Sequence, residues 1–361
     1  MNEIANSLKT LTEIAGTPGQ EDAVRYYIAD IIRPSCKELR EDSIGNLIAE
    51  VHPGRDYSIG ILAHMDEVGF IVSKITEKGL ICFELMGNID PGVLVGTEVD
   101  IIAQDGKSIR GVIGNQSRHL QISKGEKHRG RNQQLYIDIG AETDNKVLGH
   151  GVAIGSGVVF ATKFQRYTNG TITGKALDNR IGCAVLMSAL RTLKDTIKNI
   201  NVLGMFTCQE EIGAKGARVV AYNSQPCMTI TLDTVPVKNP DACDNRDINL
   251  NRGPVIRVFD RYPQLEYGMY THPAIRKSLL RVAEAKKIKH QIDVMASTYL
   301  DSSQVHLSRG GIPGGSICFP RRYAHSQVEM CHLNDIKDSF NLLIEFIAEL
   351  DRDPISFGRR Y

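Results

Sequence analysis

In the stretch Ile59-Gly60-Ile61-Leu62-Ala63-His64-Met65-Asp66-Glu67-Val68-Gly69-Phe70-Ile71-Val72-Ser73, two textures of sequence meet. Its first five residues are a short apolar run bounded by turn residues, the pattern of a buried strand. That run ends in an H-x-D element. From Gly69 to Lys163 the chain then proceeds as short alternating or β-branched runs cut by glycines, among them Phe70-Ile71-Val72-Ser73, Leu80-Ile81-Cys82-Phe83, Val99-Asp100-Ile101-Ile102, Leu135-Tyr136-Ile137-Asp138-Ile139 and Val158-Val159-Phe160. Helical periodicity is nearly absent there. Turns every ten residues or so predict a small all-β module, a barrel or sandwich, inserted into a different fold.

On either side of that module the texture changes. Upstream, apolar spacing predicts a helix from Asn2 to Ala15, a turn at Gly16-Thr17-Pro18-Gly19, a second helix from Gln20 to about Ile32 and a strand at Asn46 to Val51. Downstream of Gly170, strand and helix alternate: helices at Asn179 to Leu193, Ala214 to Tyr222, Pro273 to Lys286 and Asn334 to Leu350, with strands at Val202 to Thr207, Met228 to Leu232 and Ser316 to Phe319. The expected fold class is therefore α/β: a sheet domain of residues 1–68 and 164–361 with helices on both faces, interrupted by a barrel-like all-β domain of residues 69–163. The length of 361 residues is consistent with two domains.

Composition excludes several classes of partner. Lys and Arg number 43 against 42 Asp and Glu, so no overall field attracts nucleic acid or an anionic membrane. The longest apolar runs fall far short of the ~20 residues that span a bilayer. Met1 to Gly16 lacks the unbroken apolar segment of a secretory signal. Eight cysteines are scattered without a CxxC pair, and Cys183, Cys208 and Cys318 lie inside apolar runs, the usage of a reducing cytoplasm. A neutral, small or peptidic ligand fits this balance.

The chemistry-bearing residues share one context. His64 and Asp66 follow the run ending at Ala63, Glu210 and Glu211 follow Val202 to Gln209, and Asp233 follows Met228 to Leu232. His325 follows Ser316 to Phe319 through Pro320-Arg321-Arg322-Tyr323, and Asp178 precedes the helix that begins at Asn179. The carboxyl edge of an open α/β sheet is where ligands bind, so the five segments can converge. Histidine and carboxylate without sulfur suit Zn²⁺, Co²⁺ or Mn²⁺, and a shared carboxylate can hold two ions about 3.5 to 4 Å apart. Alternation along a strand end lets Asp66 approach the second ring nitrogen of His64. Of the adjacent glutamates one can ligate while the other takes a proton from water. Taken singly, each of these residues has a blander reading: Asp178 as a helix cap, the acidic pair as a solvated turn. Five strand ends carrying ligand-type residues change that balance. His52, His128, His150, His272, His290 and His332 read as ordinary surface or core histidines, and Arg321 and Arg322 as surface ion-pairing residues ahead of contacts to substrate or to a neighbouring subunit.

At these positions the sequence resembles the tetrahedral dinuclear-metal aminopeptidases, which include glutamyl and deblocking aminopeptidases. The resemblance runs through nearly the whole chain. It is carried by Gly45-Asn46-Leu47, by Ala63 to Gly69, by Gly174-Lys175-Ala176-Leu177-Asp178-Asn179-Arg180, by Gln209-Glu210-Glu211-Ile212-Gly213, by Leu232-Asp233 and by Pro320 to Ser326. It implies that Asp178 bridges two metals, Zn or Co with Mn as a third choice, with His64 and Asp233 completing one site and Glu211 and His325 the other. It also implies that Glu210 is the base, Asp66 the partner of His64, the β module a dimerisation domain, and the assembly a hollow dodecamer acting on peptides. The chain departs from the family pattern at Ala296 to Ser303, where Asp301 is read as a substrate contact or as the cap of a helix from Ser302 to Leu307, at Gly114 to His119 and at Gln327. The expected activity is removal of the N-terminal residue from peptides. A metal-dependent amidase or deacylase acting on non-peptide amides could use the same centre, and a non-catalytic shell subunit stabilised by metal is the third reading.

Overall fold

The computed structural model describes residues 1–115, 135–237 and 247–358. His128, Cys243 and residues 116–119 of the segment beginning at Gly114 lie outside them. Two compact units emerge: residues 1–67 and 163–324 with the chain from Val328 onward, and Val68–Thr162 with His325–Gln327.

The larger unit opens with helices Asn2–Glu13 and Asp22–Ile32, then β1 (Glu38–Glu41), β2 (Leu47–Glu50) and β3 (Ser58–His64). The smaller unit holds β4 (Gly69–Ile75), β5 (Ile81–Met86), β6 (Glu98–Ile102), β7 (Ser108–Gly114), β8 (Tyr136–Asp138) and β9 (Gly157–Phe160). The larger unit resumes with β10 (Gln165–Arg166), β11 (Thr171–Gly174), the helix Leu177–Thr196, β12 (Asn201–Thr207), the helix Lys215–Ser224 and β13 (Met228–Pro236). It continues through β14 (Val255–Tyr262), β15 (Tyr267–Tyr270), the helix Pro273–Ala285, β16 (Gln291–Met295), the short helix Ser302–Val305, β17 (Gly314–Arg321), β18 (Glu329–His332) and the helix Leu333–Arg352.

Among the described residues nine strands form the main sheet, in the order β1-β2-β12-β3-β13-β17-β14-β15, with β16 also on β14. Its centre, β12, β3, β13 and β17, is parallel. The strand period of two divides the apolar side chains between two cores. Ile59, Ile61 and Ala63 of β3 join the larger core, packed with the helices Asn2–Glu13, Leu177–Thr196 and Leu333–Arg352, while Leu62 joins the core under the helix Lys215–Ser224. The α/β architecture with helices on both faces is thus present. The smaller unit is a closed antiparallel barrel, β4-β5-β8-β7-β6-β9. Phe70 centres its core, edge-on to Phe83 at 5.0 Å and Phe160 at 5.4 Å.

The strands β14, β15 and β16 are not among the runs read from the sequence. Buried charge hides them: Arg257 and Asp260 interrupt the apolar pattern of β14, and Arg257 Nε meets Asp293 Oδ2 of β16 at 3.2 Å.

Candidate metal centre

Parallel pairing places the chemistry at one edge of the sheet. Thr207 at the end of β12 pairs with His64 at the end of β3, and Glu210 and Glu211 lie in the turn that follows β12. Asp233 differs from the expectation that it follows a strand, since β13 runs on to Pro236 with Asp233 inside it. The pairing of Thr231 with Leu62 still brings Asp233 level with His64, and β13 outruns β3 because its other side pairs with β17 as far as Arg321. Asp178 lies in the first turn of the helix Leu177–Thr196, where it and Asn179 have non-helical backbone angles. Asn179 does the capping: its Oδ1 accepts from the Gly182 N–H at 3.0 Å. The Asp178 carboxylate therefore has another task.

His64 Nε2 lies 3.2 Å from Asp178 Oδ1 and 3.8 Å from Asp233 Oδ1. Ligand atoms of His64, Asp178 and Asp233 all fall within 4.8 Å of one another, as do those of His64, Glu210 and Glu211. His64 Nδ1 faces the Asp66 backbone carbonyl at 3.1 Å and its carboxylate at 3.5 Å. The Asp66 carboxylate is engaged mainly elsewhere. One oxygen accepts from the Glu210 N–H and the other from the Glu211 N–H, each at 3.0 Å, so Asp66 anchors the acidic turn as well as orienting the histidine. Asn46 holds the same turn from behind, its Oδ1 accepting from Cys208 N–H and its Nδ2 donating to the Gly216 carbonyl, both at 3.0 Å. A side chain at Gly216 would meet Asn46 Oδ1 at 2.3 Å, so only glycine allows this approach.

The electrostatics are those of carboxylates crowded out of water. Burial raises the Glu210 pKa well above the ordinary range; His64 opposes the shift, and Asp233, Glu211 and Asp301 add to it. Burial raises the Asp233 pKa as well, against the attraction of the nearby His64. For His64 burial disfavours the charge, but the carboxylates of Asp178, Asp233 and Asp66 around the ring outweigh it and hold the pKa well above normal. Such a cluster calls for positive charge at its centre. One imidazole with two or more carboxylates and no sulfur ligand is a donor set that fits a divalent cation.

His325 groups with the barrel unit, where its Nδ1 meets the Asn88 carbonyl at 2.8 Å. Asp301 is fully buried and does not cap the helix that follows. Instead its Oδ2 accepts from Thr207 Oγ1 at 2.5 Å, and burial pushes its pKa up to about 7. Arg321 corrects the surface expectation. It is buried, and its Nη2 lies 2.7 Å from Asp178 Oδ2 while Nη1 pairs with Glu329. Of the histidines set aside as ordinary, His272 and His332 cap helices, accepting from Ala274 N–H at 3.3 Å and Asn334 N–H at 3.1 Å.

Four neighbours of the site were not singled out from sequence. Glu67 binds Lys175 Nζ at 2.7 Å and Arg180 Nη2 at 3.2 Å, joining the H-x-D segment to the segment of Asp178. Glu329 accepts the Asp178 N–H at 2.9 Å. Tyr299 donates to the Glu210 carbonyl at 3.2 Å and packs edge-on to Tyr267 at 5.2 Å. Glu21 accepts from Gln209 N–H at 3.0 Å. Glu67 and Lys175 are within quoted motifs, so their buried pairing had a local signal; Tyr299, Glu21 and Glu329 had none.

A histidine and carboxylates gathered at the carboxyl edge of a mixed sheet, in a chain that also folds a closed barrel, make a candidate metal centre of a two-unit α/β protein. The chain belongs to the M42 glutamyl aminopeptidase family, whose pattern matches residues 45–342. A protein of Acetivibrio thermocellus is 34% identical over 349 residues, covering 94% of this chain and 97% of its own. The glutamyl aminopeptidase of Lactococcus lactis subsp. cremoris is 28% identical over 363 residues, covering 99% of this chain and 100% of its own. Among solved structures, the TET1 peptidase of Pyrococcus horikoshii, which can assemble into a tetrahedron or a large octahedral shell, superposes with a TM-score of 0.82 at 31% identity, covering 95% of this chain and 98% of its own. Family membership makes the chain an aminopeptidase, a hydrolase of peptide bonds.

Proposed function

We propose that this chain removes the N-terminal residue of peptides at a two-ion centre, with Glu210 as the base. The observation that carries the reading is the convergence of the buried His64, Asp178, Asp233 and Glu210 with the partly buried Glu211 at the sheet edge. His64, Asp178 and Asp233 would hold one ion; Glu211 and His325, sharing Asp178, would hold the other. Zinc and cobalt suit these donors, manganese less closely. When bound, the ions acidify water and polarise the scissile carbonyl. His325 Nδ1–H donates to the Asn88 carbonyl, which leaves the unprotonated Nε2 to present its lone pair as a ligand.

The protein's own groups then carry the proton. The Glu210 carboxylate accepts it from the attacking water as the oxygen bonds to the carbonyl carbon, and returns it to the departing amine as the C–N bond breaks. Asp66 keeps the base in position through the two backbone N–H groups it holds. Asp301, whose Oδ2 accepts from Thr207 Oγ1, would lie on the substrate side of this cluster.

The barrel unit would join chains into dimers that build a dodecamer. Leu85, Val93, Val95 and Val112, all exposed on that unit, support burial against another copy. Among the described residues no helix is long and apolar enough to cross a membrane. The chain would act in the cytoplasm, where the buried Cys183, Cys208, Cys318 and Cys331 stay reduced and serve as small apolar side chains.

The test is a panel of aminoacyl-anilides and N-acyl amino acids, assayed with apoenzyme reloaded with Zn²⁺, Co²⁺ or Mn²⁺. Hydrolysis confined to anilides with a free α-amine is the expected result. Hydrolysis of the N-acyl compounds alone would replace the aminopeptidase reading with an amidase or deacylase.

A further inference from the structure

The two oxygens of Asp178 face different charges. Oδ1 lies 3.2 Å from His64 Nε2, and Oδ2 lies 2.7 Å from Arg321 Nη2. The arginine is not a stray surface group. It is 3% exposed at the end of β17, a central strand of the sheet, next to β13, which carries Asp233. Its other nitrogen, Nη1, pairs with Glu329 Oε1, while Glu329 Oε2 accepts the backbone N–H of Asp178 at 2.9 Å. One buried glutamate therefore holds both the guanidinium and the backbone of its partner. A guanidinium stays charged at any ordinary pH, so Arg321 brings a fixed cation to Asp178 Oδ2.

A carboxylate that bridges two ions gives one oxygen to each. A guanidinium at contact distance from Oδ2 and a divalent ion on the same oxygen would be like charges within about 4 Å in a buried site, where repulsion is poorly screened. We propose that Arg321 is a resident cation competing for the second metal position: one divalent ion binds through His64, Asp178 Oδ1 and Asp233, and a second enters only by displacing the guanidinium from Asp178 Oδ2. This rests on the two-ion peptidase reading, which is what gives Asp178 to both ions. It predicts two well-separated affinities and a centre singly loaded at limiting metal.

Metal-stripped full-length protein would be titrated calorimetrically with Zn²⁺ and with Co²⁺, and the ions retained after desalting counted by mass spectrometry. Wild type is expected to retain one equivalent, with a second binding at least about tenfold more weakly. Arg321→Met is expected to retain two, with the second association constant raised at least about tenfold, and Arg321→Lys, which cannot make the forked contact, is expected to fall between. Two equally tight ions in wild type would overturn the proposal, and so would an Arg321→Met protein, folded by circular dichroism, whose second site is as weak as wild type's. Should Arg321→Met fail to fold, the wild-type titration decides alone. Anilide hydrolysis measured on the same samples separates the two readings. Absence of activity at every loading removes the peptidase mechanism and leaves the ion count standing, while a failed ion count with activity intact removes only the role of Arg321.

Discussion

Glu210 and Glu211 are neighbours in sequence with different surroundings. Glu210 is buried, faces His64, and has its backbone carbonyl bonded by Tyr299, whereas Glu211 is only partly buried. That asymmetry is what a division between base and ligand requires, and Asp66 makes it possible by holding both backbone N–H groups. Replacing Glu210 with Gln keeps the shape and removes the proton acceptor, so turnover is expected to fall at least ~100-fold while bound metal is unchanged. Steady-state kinetics beside metal analysis of the variant checks this, and an active Glu210→Gln enzyme would remove Glu210 from the mechanism. At this scale the sequence was informative where ligand-type residues followed an apolar run, as at His64 and Glu210. It was silent about Arg321, because nothing local distinguishes an arginine that pairs with a carboxylate 143 positions away from one that meets solvent.

Among the elements, β3 and β12 were legible because their short apolar runs end at turn residues, and the helix Leu177–Thr196, buried without a break from Leu177 to Met187, because its apolar stretch is too long for a strand. The strand β14 was not. Its Arg257 and Asp260 are fully buried, and a charged residue in an apolar run reads as solvent-facing until a partner strand supplies Asp293. Asp260 accepts the Met269 N–H at 3.0 Å, and burial pushes its pKa from 3.8 to about 7. Between those two values the folded chain holds more proton than the unfolded chain, so this group's contribution is fully present below about pH 4 and is lost as pH rises through about 7. Asn cannot ionise, so Asp260→Asn is expected to gain stability relative to wild type at pH 8 compared with pH 5. Thermal melts of both proteins across that range test the sign, and a difference independent of pH would show that Asp260 is not the titrating group.

For the whole molecule, the family assignment and the barrel's exposed apolar residues lead to one measurable expectation: light scattering should give the mass of twelve chains of 39.9 kDa each, and a monomer at micromolar concentration would exclude that assembly. The amino-acid sequence by itself determined the α/β class, the change of texture at Gly69 and the carboxyl-edge context of His64, Asp66, Glu210, Glu211 and Asp233, since backbone periodicity and strand-end position are local properties. Only the tertiary structure decided that Asp233 lies within a strand, that Asp66 anchors the acidic turn, and that Arg321 is paired with Asp178. Those outcomes depend on register between strands and on which buried charge finds which partner, and both are set by residues far apart along the chain.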